Sequence, residues 1–388
     1  MAAPDTALMA CALLERLVAF DTESSKSNLA LIAFVEEQLR ALGVPFVTAP
    51  NRAEDKAALL ATIGPMVDGG IVLSGHTDVV SVAGQAWSSD PFVLRQAEGR
   101  LYGRGACDMK GFNAVALAMI PEFQRAGLKA PIHILLSYDE ETTCVGSLDL
   151  IARFGGDLPR PRAVIVGEPT QMQVADAHKS ISTYWTIVHG HEAHSSKPAL
   201  GANAIEAACA LVSELYRIAD DFEAAGDPSG RFDPAYSTIH VGSIHGGTAR
   251  NILAKECRFH WEFRGLPGVP FDAVLRRLEK SVSDRILPRL TRFVDDARIE
   301  TQTYVEIPGL IAEPDSVART LALNLTNSNR TIAVSYATEA GQFQGARLPT
   351  IVCGPGNIDQ AHQPDEYIEL SQIEACVGFM RRLALALS

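Results

Sequence analysis

The chain has 388 residues, of which 47% are hydrophobic and 21% charged, a composition typical of soluble globular proteins and not of disordered ones. Its 46 acidic residues outnumber 34 basic ones, and the formal charge of −12 argues against nucleic acid and anionic membrane surfaces, which clustered cations bind. No apolar run approaches the roughly 20 residues that span a bilayer, and early acidic residues argue against a signal peptide. Seven scattered cysteines predict reduced thiols in a cytoplasmic protein.

Apolar spacing predicts alternating helices and strands in the first part of the chain. Helical periodicity covers 7–20 and 28–42, and strands are predicted at 56–63 and 70–75, the second nearly all apolar. The pattern continues with a helix at about 112–126, a strand at 132–137, a helix from about 145 and a strand at 163–166. Buried strands that alternate with helices predict an α/β sheet with its site beyond the strands' carboxyl ends.

From about residue 181 the pattern changes to half-exposed strands. The predicted elements are strand 181–188, helix 203–219, strands 236–244 and 255–263, helix 271–286 and strand 298–306. Their order, βαββαβ, predicts a split βαβ sandwich inserted into the first domain. The α/β pattern then returns, with a helix at 315–326, a strand at 350–353 and a helix at 371–386. The predicted domains are therefore 1–180 with 307–388, and 181–306.

The buried strand at 70–75 ends in Gly75 and leads into His76, Thr77 and Asp78. Side chains alternate between faces along an extended backbone, so His76 and Asp78 project to the same side. An imidazole ligand oriented by a carboxylate is a common arrangement at metal sites. Taken alone, the pattern fits a core histidine satisfied by an aspartate equally well.

Four further candidate ligands follow strand or loop ends: Asp108, Glu141, Glu168 and His362. Nitrogen and oxygen ligands without thiolate favour zinc or a similar divalent metal. The charge of three carboxylates, together with a bridging hydroxide, nearly balances two divalent ions. Two metals can together activate water and polarise a carbonyl.

Four motifs follow one another along the chain: His76-Thr77-Asp78, Gly105-Ala106-Cys107-Asp108-Met109-Lys110-Gly111, Asp139-Glu140-Glu141 and Gly167-Glu168-Pro169. Together with the C-terminal histidine, they resemble the aminoacylase and carboxypeptidase family of two-zinc hydrolases over the whole chain. The resemblance implies a zinc-peptidase-like, three-layer α/β/α catalytic domain. It also implies that the insert is an α+β, ferredoxin-like lid through which the protein forms a homodimer.

The resemblance also assigns roles to the ligands. Asp108 would bridge two metals, zinc or alternatively cobalt. His76 and Glu168 would hold one metal, and Glu141 and His362 the other. Glu140 would be the general base, which takes a proton from bound water and returns it to the leaving amine. Its alternative is a Glu-Glu pair on a solvated surface.

Three histidines lie close together in the insert, at His189, His191 and His194. One alternative is a separate zinc site. The resemblance instead implies that His194 reaches the partner subunit's active site and helps to stabilise the oxyanion as a preorganised donor. His189 and His191 would then be ordinary surface or turn residues.

The resemblance further implies that Asn251 and Arg264 contact the α-carboxylate of the substrate, which a guanidinium matches geometrically. The alternative for Arg264 is a salt bridge at a strand end. Thr338, Glu339 and Gly341 are assigned to the substrate pocket, where Glu339 would attract a cationic side-chain amine. Its alternative is a carboxylate that complements a helix dipole.

Cys107, Phe112 and the run 337–343 resemble the acetylornithine deacetylase branch more than the succinyl-diaminopimelate desuccinylases. The predicted protein is thus a cytoplasmic, homodimeric, two-metal amidohydrolase that forms ornithine and acetate in arginine biosynthesis. Rival activities are removal of succinyl, general aminoacylase action and dipeptide hydrolysis. A rival of another class is a metal-free binding homologue, whose signature would be a broken ligand set.

Overall fold

A computed structural model describes residues 5–388, which form two compact units. The first unit comprises the described residues up to Ala177 together with Ala312–Ile332 and Thr338–Ser388. The second comprises His178–Ile311 and Ala333–Ala337. The lid and dimerisation role of residues 181–306 stays a prediction.

The described part of the chain contains fifteen strands and eleven α-helices. The strands are β1 (Phe46–Pro50), β2 (Ala57–Ile63), β3 (Ile71–His76), β4 (Arg95–Ala97), β5 (Arg100–Tyr102), β6 (Ile132–Ser137), β7 (Ala163–Pro169), β8 (Ala175–His178), β9 (Ile181–His189), β10 (Thr238–Gly246), β11 (Glu256–Arg264), β12 (Arg298–Ile307), β13 (Ile332–Val334), β14 (Thr350–Gly354) and β15 (Tyr367–Glu369). The helices are α1 (Thr6–Val18), α2 (Leu29–Ala41), α3 (Gly111–Ala118), α4 (Ile120–Arg125), α5 (Leu148–Arg153), α6 (Ala204–Ala225), α7 (Ala273–Ser281), α8 (Leu287–Leu290), α9 (Val317–Thr326), α10 (Ala340–Gly345) and α11 (Leu370–Ala386). None of the helices within residues 5–388 is long and apolar enough to cross a membrane.

The central sheet of the first unit has eight strands in the order β1-β2-β6-β3-β7-β14-β8-β13. Strand β3 runs parallel to both of its neighbours, β6 and β7, and β14 is parallel to β7. Strands β1 and β2 are antiparallel, so the sheet is mixed. Every residue of β2, β3, β6, β7 and β14 is buried, as expected where helices cover both faces. The predicted α/β fold is confirmed.

Gly75 lets helix α3 approach the end of β3. A Cβ atom at this position would lie 2.2 Å from Asn113 Oδ1 and 2.9 Å from the Met109 methyl group, both closer than real contacts allow. The Asn113 amide donates a hydrogen bond of 2.6 Å to the carbonyl of His76. The absence of a side chain at Gly75 therefore allows α3 to hold the backbone that carries His76.

Three short strands of the first unit form a separate sheet that apolar spacing does not predict. Strand β5 pairs with β4 on one side and with β15 on the other. Each strand has three residues, which is too short for an alternating pattern to show in the sequence. The pairing of β5 with β15 brings the segment after residue 102 next to the segment before residue 367.

The second unit contains a four-stranded antiparallel sheet in the order β10-β11-β9-β12. Helices α6 and α7 belong to the same apolar core as the alternate residues Tyr184, Phe259, Trp261 and Phe263 of the sheet. Chain order is strand, helix, strand, strand, helix and strand, which confirms the predicted βαββαβ arrangement. The helix predicted at 271–286 begins with α7, and helical structure continues through α8.

His133 in β6 makes the stability of the first unit depend on pH. The ring is 0% exposed, and its Nδ1 lies 2.9 Å from Thr62 Oγ1. Burial lowers its pKa to about 4 from an ordinary value of 6.5. The folded-state pKa lies below the unfolded one, so the stabilisation by the neutral ring is complete above about pH 6.5 and is lost towards pH 4.

We expect His133 to lower the free energy of unfolding by about 3 kcal/mol between pH 7 and pH 4. A His133→Asn variant should lack this part of the pH dependence. Urea unfolding of the wild type and the variant between pH 7 and pH 4, with a chelator present to remove metal ions, measures the difference. A change at the exposed His240 serves as the control, and equal pH dependence of wild type and His133→Asn would exclude the effect.

Candidate metal centre

Three neighbouring strands bring the candidate ligands to one edge of the central sheet. His76 ends β3, Glu140 and Glu141 follow β6, and Glu168 lies near the end of β7. His76 is in register with Ser137 of β6, and the pairing of β3 with β7 places Glu168 level with it. Parallel strands thus end together at this edge, as α/β sheets require of their sites.

The first triad consists of His76, Asp108 and Glu168. His76 Nε2 lies 3.0 Å from Asp108 Oδ1 and 3.6 Å from Glu168 Oε1. All three residues are buried, with at most 5% of their surface exposed. Their facing atoms are close enough to one another to hold a metal ion.

The second triad consists of Asp108, Glu141 and His362. His362 Nε2 lies 3.3 Å from Asp108 Oδ2 and 3.0 Å from the Glu141 carboxylate. Asp108 therefore presents one carboxylate oxygen to each histidine and belongs to both triads. His362 is the exposed member, with 49% of its side chain accessible.

The donor atoms fit a pair of divalent metals. Ligand atoms around one tetrahedral zinc lie about 3.3 Å apart, since each is about 2 Å from the ion. In the two triads the histidine nitrogens lie 3.0 to 3.6 Å from the carboxylate oxygens. Glu168 Oε1 is buried and has no hydrogen-bond partner among residues 5–388. A buried carboxylate oxygen is unfavourable unless it is paired or binds a cation.

Crowded carboxylates give this edge an excess of negative charge. Burial and the charge of Asp108 raise the pKa of Glu168 well above its usual range. The same two causes raise the pKa of Glu141 to about 7. Burial also raises the pKa of Glu140, although the charge of His76 opposes it. Divalent cations would relieve this repulsion between carboxylates.

Asp78 connects the first histidine to the turn after β6. His76 Nδ1 lies 2.9 Å from the Asp78 carbonyl oxygen and 3.6 Å from its Oδ1. The Asp78 carboxylate accepts the backbone N–H groups of Glu140 and Glu141, at 3.1 and 3.3 Å, and the Ser24 hydroxyl at 2.7 Å. These contacts support the predicted orienting role of Asp78.

Glu140 directly precedes Glu141, a member of the second triad. Its carboxylate has no ion pair in the described part of the chain and meets one side-chain hydrogen-bond donor, the Cys144 thiol, while its backbone N–H donates to Asp78. The side chain is therefore free to take a proton from a water molecule at the site. Its role as general base stays a prediction.

A buried ion pair behind the site, between Glu366 and Arg104, was not predicted from the sequence. The Glu366 carboxylate accepts the backbone N–H groups of Gly105, Cys107 and Asp108 at 2.9–3.1 Å. It also forms an ion pair of 2.6 Å with Arg104, and both side chains are 1% exposed. An acid four residues after His362 was the available signal, but sequence alone does not distinguish a buried pair from a surface one.

The residues assigned to the substrate pocket lie inside the first unit. Thr338 is 0% exposed and Glu339 1% exposed, and Gly341 is buried as well. The Ser74 hydroxyl donates a hydrogen bond of 2.5 Å to Glu339 Oε1, and burial raises the pKa of this carboxyl. This burial does not favour direct contact with a cationic substrate, and the role of the three residues in substrate binding stays a prediction.

His194 lies exposed in the second unit. The backbone N–H of Ser196 donates to its Nδ1 at 3.2 Å, and the Ser196 hydroxyl lies 2.8 Å from the same atom. A neutral imidazole that accepts a hydrogen bond at Nδ1 carries its proton on Nε2. His194 can therefore present an Nε2–H donor, as its predicted role requires.

The other two histidines of this run face different partners. His189 lies 3.7 Å from Glu300, and His191 lies 3.3 Å from Asp296. Within residues 5–388, the two groups of side chains that could hold a metal ion are the triads of the first unit. The alternative of a separate zinc site at His189, His191 and His194 therefore has no geometric support.

Asn251 lies in the turn before strand β11, and Arg264 is the last residue of that strand. The Asn251 carbonyl accepts the N–H of Ser195 at 2.9 Å, which places it beside His194. Arg264 ends the strand and is half-buried. Its Nε lies 3.0 Å from Glu262 Oε1, which is the salt bridge at a strand end that was the alternative to substrate binding. Nine extended residues span about 27 Å. One protomer therefore does not bring Asn251 and Arg264 to the same carboxylate.

Comparison with known proteins agrees with this architecture. The family model described as "Peptidase family M20/M25/M40" matches residues 72–386, a range that includes every member of both triads. An M20 family metallo-carboxypeptidase from Sulfolobus solfataricus shares the fold with a TM-score of 0.76 and 16% sequence identity, over 97% of this chain and 98% of the other. The dipeptidase Dug1p from Saccharomyces cerevisiae matches with a TM-score of 0.73 and 15% identity, over 97% of this chain and 95% of the other. A dinuclear metal-binding M20 peptidase from Bacillus subtilis matches with a TM-score of 0.66 and 13% identity, over 98% of each chain.

These identities are low, so the structural matches establish the fold, while the family match extends over most of the chain. The complete ligand set argues against a metal-free binding homologue. The chain therefore belongs to peptidase family M20/M25/M40 and is a metal-dependent hydrolase.

Proposed function

We propose that this hydrolase removes the acetyl group from N-acetyl-L-ornithine, giving L-ornithine and acetate. The observation that carries the hydrolytic reaction is the Asp108 carboxylate, which presents one oxygen to each of two histidine–carboxylate sets, with Glu140, which has no ion pair among residues 5–388, beside them. The substrate rests on the resemblance of Cys107, Phe112 and the run 337–343 to acetylornithine deacetylases.

Zinc is the proposed metal at both triads, with cobalt as the alternative, since the donors are nitrogen and oxygen only. When bound, such a pair lowers the pKa of a water molecule and polarises the scissile carbonyl. The residues of the chain supply the rest. Glu140 takes the proton from the attacking water and delivers it to the leaving amine nitrogen. Asp78 holds the His76 ring and the Glu140 backbone in place.

We further propose a homodimer in which His194 acts on the partner subunit's reaction as an oxyanion donor. His194 and Asn251 lie together before the start of β11, whereas Arg264 is at the far end of this strand, which is about 27 Å long. If all three contact one substrate, two protomers must supply them. We place the enzyme in the cytoplasm and in arginine biosynthesis, and its seven free cysteines agree with a reducing compartment.

A broader N-acyl-amino-acid deacylase or dipeptidase is the second candidate. The burial of Glu339 favours it, because a cationic ornithine side chain would then lack this carboxylate as a partner. One of the structural matches, Dug1p, is itself described as a dipeptidase.

A rate comparison on metal-loaded protein separates these candidates. We expect kcat/KM for N-acetylornithine to exceed that for N-acetylmethionine and N-succinyl-diaminopimelate by about tenfold or more, since recognition of a charged side chain adds selectivity. Chelation should abolish hydrolysis, and added zinc or cobalt should restore it. Faster hydrolysis of a neutral acyl-amino acid or a dipeptide would favour the second candidate. Hydrolysis that persists after complete metal removal would contradict both.

A further inference from the structure

His362 is the least constrained member of the two triads. The other histidine, His76, ends a buried strand and is 0% exposed. His362 lies on a loop, is 49% exposed and has a backbone φ of 61°, in the left-handed region that residues other than glycine rarely adopt. A ligand in this setting needs its backbone held from outside the loop.

The side chain of Gln85 provides such a contact. Its Nε2 donates a hydrogen bond of 2.9 Å to the carbonyl oxygen of His362, 277 positions further along the chain. Its Oε1 accepts a hydrogen bond of 3.0 Å from Trp87 Nε1 and another from Arg104 Nη2. Two donors therefore orient the oxygen of the Gln85 amide, and its nitrogen binds the backbone of His362.

Arg104 extends this contact to the other loop of the second triad. Its Nη1 pairs with Glu366 at 2.6 Å inside the protein, and Glu366 accepts the backbone N–H of Asp108 at 3.0 Å. The β5–β15 ladder keeps the two segments adjacent, since its first pair, Tyr102 with Tyr367, lies two residues from Arg104 and one from Glu366. A continuous set of hydrogen bonds thus runs from His362 through Gln85, Arg104 and Glu366 to Asp108.

A second contact joins the same two loops. The backbone N–H and the hydroxyl of Ser88 donate to Asp365 Oδ1 at 3.0 and 2.8 Å. Asp365 also has a left-handed backbone, with φ of 56°. The loop around residues 85–88 therefore fixes the His362 segment at two points, of which the Gln85 contact lies on the ligand residue itself.

We propose that Gln85 is a positioning residue for the metal of the second triad, whose affinity it raises by fixing the backbone of His362. This inference rests on the proposed two-metal function. Asp108 belongs to both triads, but only the second contains His362, so only the second metal would depend on it. Loss of the Gln85 contact therefore weakens the second metal and leaves the first, whose other ligands lie on strands β3 and β7, unchanged.

A Gln85→Met variant tests the proposal, because methionine has a similar length but no amide. Metal-free protein is titrated with Zn²⁺ by calorimetry and with Co²⁺ by its visible absorption, which reports the coordination of each ion. We expect the affinity for the second metal to fall about 10- to 100-fold, as when other partners that orient a ligand are removed. The affinity for the first should stay within about twofold, and a high Zn²⁺ concentration should restore kcat.

The matched control is Gln96→Met, on strand β4, where the side chain is exposed. It should bind both metals as the wild type does. Metal-free Gln85→Met also loses the acceptor of Trp87 and Arg104, so its unfolding midpoint is measured alongside the wild type. A general loss of stability would weaken both metals alike, whereas positioning weakens only the second. Unchanged second-metal affinity in Gln85→Met, or equal weakening of both metals, would overturn the inference. A wild-type protein that binds a single metal would instead contradict the two-metal function on which it rests.

Discussion

Replacing Glu140 by glutamine is expected to lower kcat by about 10²- to 10⁴-fold, the contribution of a positioned proton-transfer group, while both metals remain bound. The carboxylate has no ion pair among residues 5–388, and an amide of the same shape keeps an oxygen that can accept from the Cys144 thiol. The backbone contacts of Glu140 are unaffected by the substitution: its N–H donates to Asp78 and its carbonyl oxygen accepts from the Cys144 thiol. Steady-state rates on N-acetylornithine, together with metal titration, measure both parts of the prediction.

The neighbouring Glu141→Gln variant provides the comparison. Glu141 belongs to the second triad, so its substitution should weaken binding of one metal, which Glu140→Gln should not. A wild-type kcat in Glu140→Gln would contradict the proposed proton transfer. Loss of a metal in Glu140→Gln would show that this residue is a ligand and that the two glutamates exchange roles.

Replacing Asp108 by asparagine is expected to weaken both metals, each by at least on the order of 100-fold. Changes to residues that only orient a ligand already lower affinity 10- to 100-fold, and here the shared ligand itself loses its charge. Asp108 faces His76 with one oxygen and His362 with the other, and an amide offers only one oxygen. Calorimetric titration of metal-free protein with Zn²⁺ measures the two affinities.

Single-triad variants distinguish a bridging ligand from a residue that holds one metal. Glu168→Gln should weaken only the first metal and Glu141→Gln only the second. If Asp108→Asn kept one site at full affinity, Asp108 would serve one metal alone. The backbone N–H of Asp108 still donates to Glu366 in this variant, so the loop should keep its place.

The amino-acid sequence by itself determines the strands and the order of the chemistry along them. Strand β3 covers residues 71–76 against a predicted 70–75, because an uninterrupted apolar run can be satisfied only by burial on both faces. Alternation of side chains predicts that His76 and Asp78 lie on one side, and their contact agrees. The βαββαβ order of the second unit likewise follows from local apolar spacing.

The tertiary structure decided the contacts between segments that are distant in the chain. The three-residue strands β5 and β15 carry no periodic signal, yet their pairing brings Arg104 beside Glu366. Composition does not show that Glu339 is buried against Ser74. In the second unit, only the strand ladder shows that Asn251 precedes the start of β11 while Arg264 lies at its far end.

The physical reason is the range over which each kind of information acts. Periodicity and turn chemistry are properties of neighbouring residues, so they specify strands, helices and the side of a strand on which a ligand lies. Hydrogen bonds such as that from Gln85 to His362, 277 positions apart, form only after the strands have paired. The sequence thus identifies candidate ligands for the two metals, and the tertiary structure determines which other residues hold them in place.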